Sequence, residues 1–433
     1  MRVSAEDLMS LAAERGSTPM QVGAVLTFDA GLDPVLVAAA FRRRITAVPR
    51  LRQCLVSLPW GCGRPIWVDD TDFDLDRHFG VVQCPAPSGE GAVLAVAADL
   101  LLARLPRDRP LWAARLVTDT GHGGAALIIV FHHVLADGIG GLAVLASLVD
   151  GAAEVVDAGF PHRRPALPTL AVEALATRLR SVGRWPAMLR RLAGGAVQLR
   201  PALHLRAARC SLNTPTGPRR RLGAVRVDLA RVRRAAHAQQ ATVSDAAITA
   251  IAAALHGLLA ARGEQVERFV ISVPFSTRRQ TSASDLGNHS GIIPLRVLAV
   301  GDPVRRLTAV AETTRAAKQA QRGASTALLS PLFRLLAVVG LYRLFIDRQR
   351  MVHTFVTNLR GPQDRLTFLH EPISAITPLT SATGNVTVCF AVLSYAGSLT
   401  VTVNADPDTC PDWAELRDAV SEELRVLTAS TVW

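Results

Sequence analysis

The stretch FHHVLADGIGG, residues Phe131 to Gly141, ends an unbroken apolar run that begins at Leu127 and sets two adjacent histidines ahead of an Asp-Gly pair. A run of that kind reads as a strand buried on both faces. The Asp137-Gly138 pair turns it into a helix over GIGGLAVLASLVDG. Side chains alternate across a strand, so His132 and His133 point to opposite sides and only one of them can face a given cavity. Two neighbours so disposed make a poor metal chelate, and no metal site is expected. A neutral imidazole, with an ordinary pKa of about 6.5, is instead a natural proton acceptor near neutral pH. Asp137 can accept hydrogen bonds that order the loop, and Gly138 lets a ligand approach the backbone. The bland alternative is a pair of satisfied core histidines beside a turn aspartate.

Strands and helices alternate around this stretch. SAEDLMSLAAERG reads as a helix capped by Ser4 and Asp7, VGAVLTF as a strand, and DPVLVAAAFRRRITAVPR as a helix with Asp33 as its cap, Pro34 at the first position and Pro49 closing it. PLWAARLVTD and AALIIVFHH form an antiparallel pair. Beyond a stretch rich in proline and arginine, TVSDAAITAIAAALHGLLAARG predicts a long helix and RFVISVPF a strand. LGNHSGIIPLRV and VHTFVTNLRGP carry further strands, NVTVCFAVLSYAGSLTVTVNAD a hairpin turning at Ala396-Gly397, and DWAELRDAVSEELRVL a last helix. The expected class is α/β (α+β), with mixed sheets covered by helices. The expected units are residues 1–165, a helical crossing linker over 166–220, and residues 221–433.

Composition narrows the class of function. With 49% hydrophobic and 19% charged residues in 433, the chain is rich enough in apolar side chains for two cores. No run of about 18 uncharged apolar residues appears, so a membrane span is not expected. GASTALLSPLFRLLAVVGLYRLFI, from Gly323 to Ile346, is interrupted by Arg334 and Arg343 and reads as amphipathic. The start lacks the pattern of an export signal, and the six cysteines form no C-x-x-C pair; both suggest a cytoplasmic protein with reduced thiols. The net charge of +12 is local: Ala174 to Val227 holds 12 arginines and no acid, matching the whole excess. That stretch can attract an anionic membrane or a phosphate group, or simply be a solvated face. Trp185 is its one aromatic residue, which argues against nucleic acid.

No G-x-S-x-G elbow and no cysteine placed with a histidine suggests a covalent acyl-enzyme. The motif instead resembles H-H-x-x-x-D-G of the CoA-dependent acyltransferase superfamily. PMQVGAVLTF, RDRPLW, VPFSTR, LGNHSGIIPL, TNLRGP and SYAGSLTVTVNAD extend the likeness over Ser4 to Leu427, and the chain resembles the bacterial wax ester synthase/diacylglycerol acyltransferase family. The resemblance implies two acyltransferase domains with a tunnel between them. It implies His133 as general base, with His132 and Asp137 ordering the loop and Gly138 lining the channel. It also implies acyl-CoA as co-substrate with no tightly bound cofactor, and a hydroxylated lipid or alcohol as acceptor.

Pro110, Leu111 and Trp112 match a family element but are equally expected as packing. Asp245 retains the acid of the family's Asn-Asp pair, Ser244 departs from it, and Gln21 stands where the family has histidine. Thr242 and Asp245 also make a capping box. Asn288 and Asn358 could donate to a tetrahedral oxyanion, and Arg278 could pair with Asp137 or meet CoA phosphates. Peripheral contact with a membrane or lipid body suits the charge. Two other readings remain open: a secondary-metabolite acyltransferase drawing on CoA or an acyl carrier protein, and a non-catalytic basic protein binding lipid or nucleic acid.

Overall fold

The computed structural model describes residues 2–14, 18–121, 123–152, 159–182, 206–276, 286, 290–323, 336 and 340–429. Arg278, Asn288, most of the segment from Gly323 to Ile346 and part of the arginine-rich stretch lie outside the described residues.

The first half runs α1 (Ala5–Ala13), β1 (Gln21–Phe28), α2 (Pro34–Arg44), β2 (Gln53–Val56), β3 (Ile66–Asp69), β4 (Phe79–Gln83), α3 (Glu90–Leu102), β5 (Trp112–Thr118), β6 (Ala125–His132) and α4 (Gly138–Leu148). After α5 (Leu167–Val182), the second half runs β7 (Arg221–Asp228), α6 (Leu229–Ala238), α7 (Val243–Ala261), β8 (Arg268–Ser276), β9 (Ser290–Leu298), α8 (Pro303–Gly323), α9 (Tyr342–Ile346) and β10 (Thr354–Arg360). β11 (Thr367–Phe368), β12 (Glu371–Leu379), β13 (Val388–Tyr395), β14 (Ser398–Ala405) and α10 (Trp413–Ala429) complete it.

Two six-stranded sheets carry the described residues, ordered β11-β12-β1-β6-β5-β4 and β7-β14-β13-β10-β8-β9, with β2 and β3 as a separate pair. Both are mixed: β4 runs parallel to β5, and β10 parallel to β13 and β8. The first sheet is not built from the first half alone. β12 pairs antiparallel with β1, from Gly23 opposite Leu379 to Phe28 opposite Ile373, so a strand of the expected 221–433 unit completes the other unit's sheet.

Local chemistry sets the ends of the elements. Ser4 and Asp7 form the expected capping box on α1, and Thr242 and Asp245 form another on α7. The hairpin of β13 and β14 turns at Ala396 and Gly397, both at positive φ, as a two-residue connection between twisted strands requires. By length and composition α7 could cross a membrane, yet it is mostly buried within the protein. It is apolar nearly all round because α10, α8 and α6 pack against it.

Candidate active site

β6 lies between β1 and β5 and is buried at every position. Its last residues pair with both neighbours, Phe131 opposite Trp112 and His132 opposite Gln21. The backbone then leaves the sheet in a bonded turn. His133 donates its N–H to Met20 O at 2.7 Å, and Leu135 donates to His132 O at 2.8 Å. Asp137 ends the turn as the cap of α4, its Oδ1 accepting from the Gly140 N–H at 2.8 Å.

The two histidines have different surroundings: His132 is the last residue of β6 and does not line the cavity, whereas His133 is the first of the turn and does. His132 is 2% exposed and turns toward α1. Its Nδ1 accepts the Val134 N–H at 3.0 Å, so its proton sits on Nε2, which faces Glu14 Oε1 at 3.2 Å. Arg107 in turn bonds Glu14 Oε2 at 2.5 Å. Burial alone would raise the Glu14 pKa; the contacts with His132 and Arg107 outweigh it and hold the carboxyl below its usual range.

His133 faces a cavity of about 540 Å³ whose wall comes from both halves of the chain. Burial depresses its pKa below the ordinary histidine value, with the nearby Asp137 charge pulling partly the other way. The ring is therefore neutral at pH 7. Its Nδ1 is buried without a hydrogen-bond partner outside the residue's own backbone. Asp137, Gly138, Phe131 and Met20 line the same cavity from the first half, and Asn358, Leu359, Phe355 and Ile376 line it from the second. Gly138 lies at the seam: a Cβ there would stand 3.0 Å from Leu359 Cδ2. The wall is mainly apolar, including Met9, Leu142, Leu145, Phe345, Met351 and Leu379. Size and lining suit a chain-like apolar ligand with a few polar anchors.

The other sequence candidates divide. Asn358 lines the cavity with His133. Pro110, Leu111 and Trp112 do not; they are buried at the start of β5, beside the histidine strand. Leu111 O accepts the His132 N–H at 2.9 Å, while Trp112 donates Nε1–H to Leu51 O at 2.9 Å and stacks on His78. Asp245 is also away from the cavity, its Oδ2 accepting from Thr242 N–H at 2.8 Å. Gln21 does not line the cavity; its Nε2 bonds Ala103 O at 2.5 Å. Its departure from the family's histidine therefore does not alter the cavity wall. Arg278 and Asn288 lie outside the described residues. Among the described residues no group of three or more His, Cys, Asp or Glu side chains is placed to hold a metal ion.

Glu14 is the residue that motif reading passed over; Arg107 stands in RDRPLW but was given no role there. The signal for Glu14 was present: an acid at the C-terminal end of α1 meets the negative end of the helix dipole, a local misfit that a tertiary partner must repair.

A family profile described as the wax ester synthase/diacylglycerol acyltransferase catalytic domain matches residues 3–247, and one for the C-terminal domain of the same enzymes matches residues 286–428. A protein of Mycobacterium tuberculosis described as a probable diacylglycerol O-acyltransferase is 30% identical over 407 residues, covering 90% of this chain and 87% of its own. Among solved structures, the wax ester synthase/diacylglycerol acyltransferase of Marinobacter aquaeolei superposes with a TM-score of 0.73 at 22% identity, over 100% of both chains. The starter condensation domain of rhizomide synthetase, solved with C8-CoA and Leu-SNAC, superposes with a TM-score of 0.66 at 15% identity, over 100% of this chain and 94% of its own. Two successive profiles of one family, in order along nearly the full length, lead to one conclusion: the chain belongs to the wax ester synthase/diacylglycerol acyltransferase family.

Proposed function

We propose that this acyl-CoA-dependent O-acyltransferase uses His133 as the general base in direct transfer of a fatty acyl group to a lipid hydroxyl, giving wax ester or triacylglycerol. The observation that carries the reading is the neutral, desolvated imidazole facing a largely apolar cavity walled by both halves. The base takes the hydroxyl proton as the acceptor oxygen attacks the thioester carbonyl. The new C–O bond forms, the C–S bond breaks, and the proton passes to the departing thiolate, releasing free CoA. Loss of the hydroxyl proton to a held imidazole is worth roughly 10²–10⁴-fold, and holding both substrates in one dry cavity adds to it.

In this reading Asp137 holds the loop and keeps His133 from losing its basicity altogether. Gly138 leaves room beside Leu359 for the reacting groups, and the Asn358 amide is a donor for the tetrahedral oxyanion. The cavity serves as the passage in which thioester and acceptor meet. The neighbouring fold solved with C8-CoA and an aminoacyl thioester supports a passage of this kind. No resident cofactor or metal is needed for the sequence of bonds described.

The test is free-CoA release from a long-chain acyl-CoA, measured with diacylglycerol and separately with a fatty alcohol. His133→Ala is expected to lower turnover by about 10²-fold or more while the protein stays folded. Turnover within twofold of the unaltered enzyme would overturn the assignment.

A further inference from the structure

A second surface stands apart from the cavity. Trp60 is 99% exposed at the tip of the turn between β2 and β3, where Gly61 and Gly63 both take positive φ. This turn is pinned against α5. Arg2 donates to Cys62 O and to Leu170 O, each at 2.7 Å, and Cys62, Ile66 and Leu170 form a small apolar cluster between them. A Cβ on Gly63 would sit 3.2 Å from Ala174 Cβ. The exposed indole and the helix therefore belong to one rigid patch.

α5 is apolar on two sides. Leu170 and Ala174 are buried toward the turn. On the opposite face Val172, Leu175 and Leu179 are 67%, 56% and 65% exposed. At roughly 100° per residue these three lie within about 60° of one another, a narrow stripe facing solvent. Arg178 flanks the stripe on one edge and Arg180 on the other, where long side chains can keep their charge in water while their stems lie along apolar surface. Arg64, in the same turn, and Arg163 and Arg164, shortly before α5 in the chain, are also exposed. Glu173, the one acid of α5, is paired with Arg2 at 3.3 Å.

We infer that the Trp60 turn and the outer face of α5 dock the enzyme on an anionic lipid bilayer. A lone indole in full solvent contact, an apolar stripe and flanking arginines are the three components of an interfacial helix site: the ring sits at headgroup level, the stripe enters the acyl boundary, and the guanidinium groups meet lipid phosphates. The charge decides the partner, since arginines flank the stripe and the one acid of α5 is paired with Arg2. A bilayer is also where acceptors with long acyl chains dissolve, so docking there delivers them to the enzyme. The inference does not depend on the role given to His133, because bilayer binding is read without acyl-CoA.

The experiment is flotation of the full chain with vesicles of phosphatidylcholine alone or with phosphatidylglycerol added at about one third. The unaltered protein is expected to float with the anionic vesicles and to be released by raised salt. Trp60→Ser, and separately the pair Leu175→Ser/Leu179→Ser, are expected to lower the bound fraction at least fivefold with the thermal transition unchanged; all three side chains are solvent-facing. Arg180→Glu is expected to weaken binding to anionic vesicles alone. Equal binding by all variants overturns the inference. So does conversion of an oligomer to a monomer by Leu175→Ser/Leu179→Ser with bilayer binding intact, since the face would then join two copies of the chain.

Discussion

The imidazole of His132 and the carboxylate of Glu14 meet at 3.2 Å, and that contact ties the first helix to the histidine strand. Because His132 Nδ1 accepts the Val134 N–H, its proton sits on the buried Nε2, and the carboxylate facing it is that of Glu14. The same carboxylate is held by Arg107, from the segment just before β5. Three separate parts of the chain thus fix the turn from which His133 projects.

Removing Glu14 tests this arrangement. Glu14→Ala leaves the His132 N–H buried without its acceptor, which costs roughly 1–3 kcal/mol. Turnover is expected to fall about tenfold through the loosened turn, with less effect on the KM for acyl-CoA. Glu14→Gln keeps an acceptor for His132 and should recover much of the thermal stability. Equal behaviour of the two variants in thermal unfolding and in turnover would refute the positioning role. The carboxyl pKa is depressed in the fold, so its contribution to stability is present above the ordinary glutamate value near 4.5 and is lost as pH falls through the lowered one.

His133 sets the pH dependence of the reaction. Its pKa lies below 6.5, so the base is already neutral at pH 7. Turnover per substrate encounter should rise with pH only below the ordinary histidine value and be flat near neutrality. Asp137 is the charge that counteracts the burial of the ring, and an asparagine can still cap α4. Asp137→Asn is therefore expected to move the acid limb of kcat/KM to still lower pH. A limb displaced upward, or left in place, would show that Asp137 does not act on this imidazole.

The loop aspartate at 137, the hairpin at Ala396-Gly397 and the capping boxes were all legible in the sequence, because each follows from local hydrogen bonding or turn chemistry. The crossing strand β12 was not. EPISAITPL carries Pro372 and Pro378, which read against a strand. β11 pairs only with Glu371 and Pro372, so beyond them β12 is an outer strand of its sheet, the place where proline is tolerated. Likewise nothing local reveals that Leu111 and Trp112 pair alongside the end of the histidine strand, or that Gln21 bonds Ala103 O and does not line the cavity. Those placements depend on which elements pack together. Asn358 could be suspected from its motif, but its place beside Leu359 in the wall required both halves.

The joining of the halves also rests on Asp150, just past α4. The turn between β11 and β12 places Leu369 and His370 at positive φ, an uncommon conformation for residues with side chains. Asp150 accepts both of their N–H groups, at 3.1 and 2.7 Å, and pairs with Arg44. Burial alone would raise its pKa; the bonds from His370, Thr367, Arg44 and Leu369 bring it down to about 2. That stabilisation is complete above the ordinary aspartate value of 3.8 and lost as pH falls toward about 2. Asp150→Ala is expected to lower stability by about 2–3 kcal/mol at pH 7, since hydrogen bonds to a charged group are lost at a strained turn. The difference between the variant and the unaltered protein should shrink between pH 4 and pH 2, as protonation removes in the parent what the substitution removes in the variant. A denaturation series over that range, showing instead a constant difference, would mean that the carboxylate charge does not hold the turn. If the charge does hold it, Leu369→Gly, which relieves the strain, should recover part of the stability lost in Asp150→Ala.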